Sequence, residues 1–528
     1  MSASSNPLPL APATGLRFWM AQVLDQCDRA EHHFDVDPVH DLRVALRRCR
    51  SLADGMIALD PSVEWRKMKK AGRKLFRSLG ELRDVQVMME WVDHLSPAPA
   101  NSPELGVAVA FDPPPPRDPV AMAFLNALRR QEQEQKLTAQ AALAAFDRKQ
   151  WRQWSRHLPA RAARFRPGSP LFLHLALERW TQARELHRQA MRHRSQISFH
   201  ELRIGVKRFR YIVENFLPEQ HEAWGKELKQ IQDALGEVHD LDVLWAAAER
   251  IHVFPDGESR HNWKVLISEA RRQRLDHYHE KMVGPDSLWV RWRAGLPQGR
   301  EVREIATRRL KVWARGLDPD FAHAEHVARL ALELFDGLRE TGLLTSNGSG
   351  KKRTRLTTNR GANGHDLRSS LELAALLHDV GKAQAGKSHH KKSADLILAN
   401  GAPLGWDLRE IRRAALVARF HAGALPTKRH KRLRDLLPPE QNEVIELAAV
   451  LRLANALDVS HDTHIRQLRV RAEQGGPVVG KSSPIVVAAE GYSPHSHTAQ
   501  AAAAERHWLE TVLHRPVIIR AMAHRSAS

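Results

Sequence analysis

The sequence predicts a mostly all-α protein: two pseudo-symmetric helical bundles, then a third helical domain with a small β element near the C-terminus. Three observations carry this reading. From Leu16 onward, apolar residues recur at helical spacing with few β-branched runs. Two sequence blocks recur in the same order at nearly the same offset. Residues 466–490 then change to alternation with paired valines (QLRVRAEQ, SPIVVAAE), the pattern of a hairpin or two short strands.

In chain order, residues 1–15 read as a disordered leader and 16–95 as the first helical half. Residues 96–119 read as a linker, because four consecutive prolines cannot sit inside a helix. The second half spans 120–295, with turns around Pro167–Pro170 and Pro255–Gly257. The third domain covers 299–520 and carries a polar, basic, Gly-containing insertion at 345–364 that reads as a mobile loop. A final helix around 498–514 leads to PVIIR.

At 528 residues the chain can bury several cores, and 42% hydrophobic with 27% charged residues is a folded composition. Two cysteines, Cys27 and Cys49, exclude a disulfide scaffold and a Cys-rich zinc module. No apolar run reaches about 18 residues, and the leader lacks a secretory layout, so the expected location is the cytoplasm. Lys+Arg 81 against Asp+Glu 61 gives +20, which favours a polyanionic partner.

The repeat places that charge. VHDLRVALRRCRSL (39–52) matches FHELRIGVKRFRYI (199–212) at an offset of 160, and LGELRDVQV (79–87) matches LGEVHDLDV (235–243) at 156. On a helix at about 100° per residue, His40, Arg43, Arg47 and Arg50 share one stripe of about 80°. Leu42, Ala45, Leu46, Cys49 and Leu52 lie opposite, facing a core. His200, Arg203, Lys207 and Arg210 repeat the stripe, and Lys70 and Arg73 recur as Lys226 and Lys229. No Asp or Glu falls on the stripe, so water, a neighbouring helix's carboxylate or a bound polyanion must solvate it. Arginine suits phosphate because its planar fork donates two hydrogen bonds at once. Few aromatics interleave the basic residues and no base-reading motif is present, which argues against sequence-specific nucleic-acid binding.

HDLRVALRRCR and HELRIGVKRFRY resemble the signature helices of the CHAD domain, the conserved-histidine α-helical domain. The resemblance implies two helical bundles around a basic groove for inorganic polyphosphate. It assigns polyanion contact to His40, Arg43, Arg47, Arg50, Arg83, His200, Arg203, Lys207, Arg208 and Arg210. Lys70, Arg73, Lys226 and Lys229 join them by position. The place of Arg83 is taken by His239 in the second copy.

The third domain carries a different chemistry. His323 lies in FAHAEHVARLALELF, with His326 close by. His378-Asp379 follows in LAALLHDVGK, and Asp458 closes LRLANALDVSH. Imidazole and carboxylate together are ligands for a divalent hydrolytic metal. His378 and Asp379, adjacent at the expected end of an apolar helix that Gly381 terminates, can both reach one ion. His390 and His421, lying between the HD pair and the last Asp, are candidates for a second metal or phosphate.

These blocks resemble the HD-type phosphohydrolases, and more closely the C-terminal helical domain of exopolyphosphatase/guanosine pentaphosphate phosphohydrolase proteins. The resemblance implies metal ligands His323, His378, Asp379 and Asp458, with His378, Asp379 and Lys382 catalytic and a divalent cofactor such as Mn, Mg or Fe. Two departures stand out. Lys392 occupies a position that is often His, and the actin-like domains that normally precede this segment are replaced by the CHAD-like region. The expected function is polyphosphate binding joined to metal-dependent phosphohydrolysis of polyphosphate or a phosphorylated nucleotide, in the cytoplasm or at polyphosphate granules. The alternative is a non-catalytic binding protein whose last domain binds or regulates.

Overall fold

The computed structural model describes residues 15–32, 34, 36–96, 118–344, 367–473 and 483–522. Nearly all of the expected leader and linker, and the whole 345–364 insertion, lie outside the described residues. The chain forms two compact units, Met1–Gln298 and Gly299–Ser528. It is mostly helical with one small sheet, as expected.

The first unit contains α1 (Leu16–His32), α2 (Val36–Ile57), α3 (Val63–Ala71), α4 (Arg73–Leu95), α5 (Pro119–Ala144) and α6 (Arg148–Ala162). It continues with α7 (Pro170–His193), α8 (Gln196–Phe216), α9 (Pro218–Ile251), α10 (Gly257–Met282) and α11 (Leu288–Ala294). Side-chain caps mark several starts. Asp118 accepts from Val120 N ahead of Pro119 in α5, Asp147 accepts from Gln150 N in α6, and Ser195 and Ser198 cap α8 reciprocally. The repeated helices α2 and α8 bury their matched apolar faces, Leu42, Leu46 and Cys49 in one and Leu202, Val206 and Phe209 in the other.

Two features depart from the sequence reading. The halves were expected to span 16–95 and 120–295, with 96–119 as linker, but α5 packs along α4 and α6 packs on α1 and α3, so these helices pack with the first bundle. The second copy then begins at α7, which packs on α8 and α11. The repeat is also uneven: α3 and α4 are separate around Gly72, while α9 runs unbroken for 34 residues. Contacts of α2 with α8 and of α4 with α9 join the halves. An ion pair with its carboxylate buried and its guanidinium partly exposed ties α6 back to the end of α2. Arg161 donates to Asp60 at 2.7 and 2.5 Å, and the indole of Trp65 adds a bond of 2.8 Å.

The second unit contains α12 (Arg300–Arg315), α13 (Phe321–Glu340), α14 (Leu367–Leu377), the short α15 (Lys382–Ala385), α16 (His389–Asn400), α17 (Leu408–Arg419) and α18 (Pro438–Ala456). Then come β1 (Leu468–Ala472), β2 (Ile485–Ala489), α19 (His497–Leu513) and β3 (Val517–Ala521). Helix α13 packs on α14 and α18, and α17 packs on α14, α16 and α18, around a core rich in Leu, Ala and Val. The expected strands are β1 and β2, paired antiparallel. PVIIR contributes a third strand that the alternation pattern did not reveal. β3 pairs parallel with β2, Ile485 opposite Val517, after the α19 crossover.

Candidate functional site

In the first unit a cleft of about 340 Å³ opens between the two copies. Helix α2 contributes Arg43 and Arg47, α4 contributes Arg83 and Asp84, and α8 contributes Arg203, Lys207 and Tyr211. Asp233, Glu237 and Asp240 enter from α9, so the cleft is not purely basic as the isolated stripe suggested. Among the described residues, Arg43, Arg47, Arg203 and Lys207 make no ion pair with these carboxylates. Arg43 Nε is buried without a hydrogen-bond partner. Burial pushes the Lys207 ammonium down to about 8, and repulsion from Arg203, Arg47 and Arg43 adds to it. Burial likewise pushes the Asp240 carboxyl up to about 6, against the pull of Arg203. Both groups are therefore held where an incoming charge would change their protonation.

The other expected contacts lie outside the lining of this cleft. His40, Lys70, Arg73, Arg208, Lys226 and Lys229 are exposed. Arg50 donates to Lys69 O at 2.7 Å and stacks over Phe76, and Arg210 lies 3.8 Å from Glu214. His200 Nδ1 faces His239 Nδ1 at 3.3 Å, where the second copy has exchanged an Arg for His. Arg83 lines the cleft and also pairs with Glu90.

In the second unit, α14 stops at Leu377, so His378 and Asp379 sit in the following turn rather than in the helix. Gly381 was expected to end that helix. Its role is close approach: a Cβ there would lie 2.6 Å from both His389 O and Ser393 N. Ser393 Oγ accepts from Gly381 N at 2.9 Å, locking the turn against α16.

Three histidines share one device. Nδ1 of His378, His421 and His389 bonds to the carbonyl of Ala375, Ala418 and Gly386 at 2.6, 2.6 and 2.9 Å. That fixes the tautomer and leaves each Nε2 toward Asp379. From Asp379 Oδ1, His389 Nε2 lies at 3.3 Å and His421 Nε2 at 3.6 Å, while His378 Nε2 lies 3.7 Å from Oδ2. Lys382 Nζ reaches Asp379 Oδ2 at 3.0 Å.

Two donor sets result, each with its ligand atoms within 4.8 Å of one another: His323, His378 and Asp379, and Asp379, His389 and His421. Asp458 stands behind the first set. It bonds His323 Nδ1 at 2.7 Å through one oxygen and accepts from Thr463 N at 2.9 Å through the other. His389 takes the inward place expected of His390. His390 Nδ1 is buried without a partner, and Lys392 packs its Cβ against Gly381.

Burial lowers His378 and His421, favouring neutral imidazole. Burial opposes ionisation of Asp379; charge on His378 and His421 when they are protonated, and the ammonium and hydrogen bond of Lys382, outweigh it and hold its carboxyl well below the usual range. His378 Nε2 and Asp379 Oδ1 are buried without hydrogen-bond partners. Neutral imidazole, ionised carboxylate and orphaned buried donor atoms fit a divalent cation. Sequence reasoning missed Asp318 and Asn455. Asp318 is buried, its Oδ2 has no partner, and it acts electrostatically on Asp379, His378 and Lys382. Asn455 Oδ1 lies 3.1 Å from His323 Nε2. An ALD motif in which the Asn stands one turn before the Asp was the available signal.

Residues 16–249 match the CHAD domain family, and residues 302–477 match the family described as Ppx/GppA phosphatase, domain III. A crystal structure of the CHAD domain from the plant Ricinus communis aligns at 19% identity and a TM-score of 0.33, covering 56% of this chain and 96% of that one. No curated protein matches the chain.

Proposed function

We propose that this chain, a CHAD domain joined to a Ppx/GppA-like C-terminal domain, is a polyphosphate-binding protein whose second unit is a metal-dependent phosphohydrolase of the HD type. Its substrate is polyphosphate or a phosphorylated nucleotide. The observation that carries this reading is the convergence of His323, His378, His389 and His421 on Asp379, with His378 Nε2 and Asp379 Oδ1 left buried and unpartnered. Those residues would hold divalent metal, which supplies the charge that polarises a phosphoryl group and acidifies water. The chain's own groups do the rest. The carbonyls of Ala375, Ala418 and Gly386 orient the three imidazoles. Lys382, half exposed beside Asp379, offers a cation to phosphoryl oxygen.

In the first unit, Arg43, Arg47, Arg203 and Lys207 bind consecutive phosphates across the cleft, His40, Arg50, His200 and the remaining repeated cations extending the field around it. A second reading, binding without chemistry, is favoured by Asp458, whose oxygens are engaged by His323 and Thr463. Metal analysis of the purified protein, together with phosphate release from polyphosphate and from guanosine tetra- and pentaphosphate, separates the two. Bound divalent metal with release that chelation abolishes supports catalysis. Tight polyphosphate binding with no release under any metal leaves binding alone.

A further inference from the structure

The second unit carries a basic cluster that neither donor set uses. Residues 428–434, KRHKRLR, hold five Lys or Arg in seven positions. Such a run is ordinarily a loose solvated loop. This one is pinned. Leu433 is fully buried in the core, and the Gln441 amide donates to the carbonyls of Leu433 and Leu436 at 3.0 and 3.1 Å. Backbone bonds from Leu433 N and Arg434 N to His430 O close the turn.

The turn folds onto the end of α17. The His430 ring packs edge-on against Phe420 at 4.9 Å, directly before His421. Arg419 lies beside the same ring, and its Nε is buried without a hydrogen-bond partner. Among the described residues, the one ion pair made by residues 428–434 joins Arg432 to Asp395, and both partners are about half exposed. Burial lowers Arg419 and His430, and Arg432 repels both. Backbone hydrogen bonds thus hold a turn of five cations, with Asp395 and Asp435 the acids paired with it or next to it in the chain, against Phe420, the residue before the His421 donor.

We propose that Arg419 and the 428–434 turn form a second polyphosphate-binding site, which holds the phosphate chain beside the His389/His421 donor set. The chemistry selects phosphate rather than a nucleotide or nucleic acid. Phe420, the aromatic at the centre of the cluster, is 3% exposed and covered by His430, so it offers no face for a base. Guanidinium and ammonium groups need only phosphate oxygen. The ligand rests on the proposed polyphosphate function; the proposed phosphohydrolysis decides only what happens to the chain held here, and the binding itself does not depend on turnover.

The test uses the full-length protein, without added metal and in the presence of chelator, in an Arg47→Gln/Lys207→Gln background that weakens the cleft of the first unit. Binding of long-chain inorganic polyphosphate is measured across a salt series. Lys428→Glu/Lys431→Glu, at two exposed positions, should weaken binding by about tenfold or more and reduce the salt slope by about 2. Lys428→Gln/Lys431→Gln should fall between that variant and the parent. An unchanged affinity and slope would overturn the proposal. So would single-stranded RNA of equal charge competing as well as polyphosphate, which would make the turn a nucleic-acid surface. Where phosphate release is also found, the Glu variant should raise KM for long chains by more than for the shortest ones. Failure of catalysis alone leaves the binding result intact, so the two readings fail separately.

Discussion

The proposed polyphosphate binding in the first unit should depend on pH through Lys207, over a range where few other groups titrate. The groups facing it are Arg43 and Arg47 from α2, Arg83 and Asp84 from α4, Arg203 and Tyr211 from α8, and Asp233, Glu237 and Asp240 from α9. With its pKa pushed down to about 8, the free amine is about nine-tenths charged at pH 7 and about one-tenth charged at pH 9. A bound polyanion favours the ammonium and restores it toward the ordinary 10.5. Binding then takes up a proton above pH 8, so affinity should fall about tenfold from pH 7 to pH 9, the ratio of the two charged fractions. Isothermal calorimetry with long-chain polyphosphate at moderate salt reads this directly, and buffers of different ionisation enthalpy count the protons. Lys207→Arg keeps its charge throughout and should flatten the profile. Asp240, pushed up to about 6, contributes a lower limb: its protonation below pH 6 removes a repelling charge, so affinity rises further there, and Asp240→Asn should reduce that rise to what Asp84 and Asp233, also raised by burial, still supply. A parent profile flat between pH 7 and 9, or an Arg variant as pH-dependent as the parent, would show that Lys207 does not meet the ligand.

Asp379 is shared by both donor sets, so Asp379→Ala should empty the metal content of the protein and remove any phosphate release, by elemental analysis and malachite-green assay. Activity that survives would place the chemistry elsewhere. Gly381→Ala should displace the start of α16, because its Cβ would meet two backbone atoms at 2.6 Å; His389 moves with that helix, and metal affinity should drop while the circular dichroism stays helical. In the first unit, Asp60→Ala should cost about 1–2 kcal/mol in urea denaturation at neutral pH, since it removes the charged hydrogen bonds to the partly exposed Arg161 and leaves the buried Trp65 indole N–H without its acceptor. Burial opposes ionisation of Asp60, but Arg161 and Trp65 hold its carboxyl below the usual range. Its stabilisation is thus complete above pH about 3.8 and is lost as pH falls through the lowered value, so parent and variant should converge in acid.

How far the sequence could be read depended on how local each signal was. The duplication, the outward stripe of α2 and α8 and their buried faces follow from helical periodicity, a property of neighbouring residues. The HD pair was visible because both residues occupy one turn. Harder cases turned on atoms far apart in the chain. His389 and His390 are adjacent and chemically identical; which one faces Asp379 depends on the phase of α16, set where Ser393 Oγ meets Gly381 N. The third strand was missed because PVIIR finds its partner in β2, across the whole of α19.

The sequence by itself determined the helical class, the paired basic stripes and the inventory of imidazole and carboxylate in the second unit, because periodicity and residue chemistry are written residue by residue. Only the tertiary structure decided that α5 and α6 pack with the first bundle, and that Asp84, Asp233 and Asp240 share the cleft with Arg43 and Lys207. It alone pinned residues 428–434 beside His421. The physical reason is one of scale. A sequence specifies the direction of a side chain about its own helix. The few ångströms that make a ligand set, an unpaired guanidinium or a shifted amine arise where helices distant in the chain pack against each other.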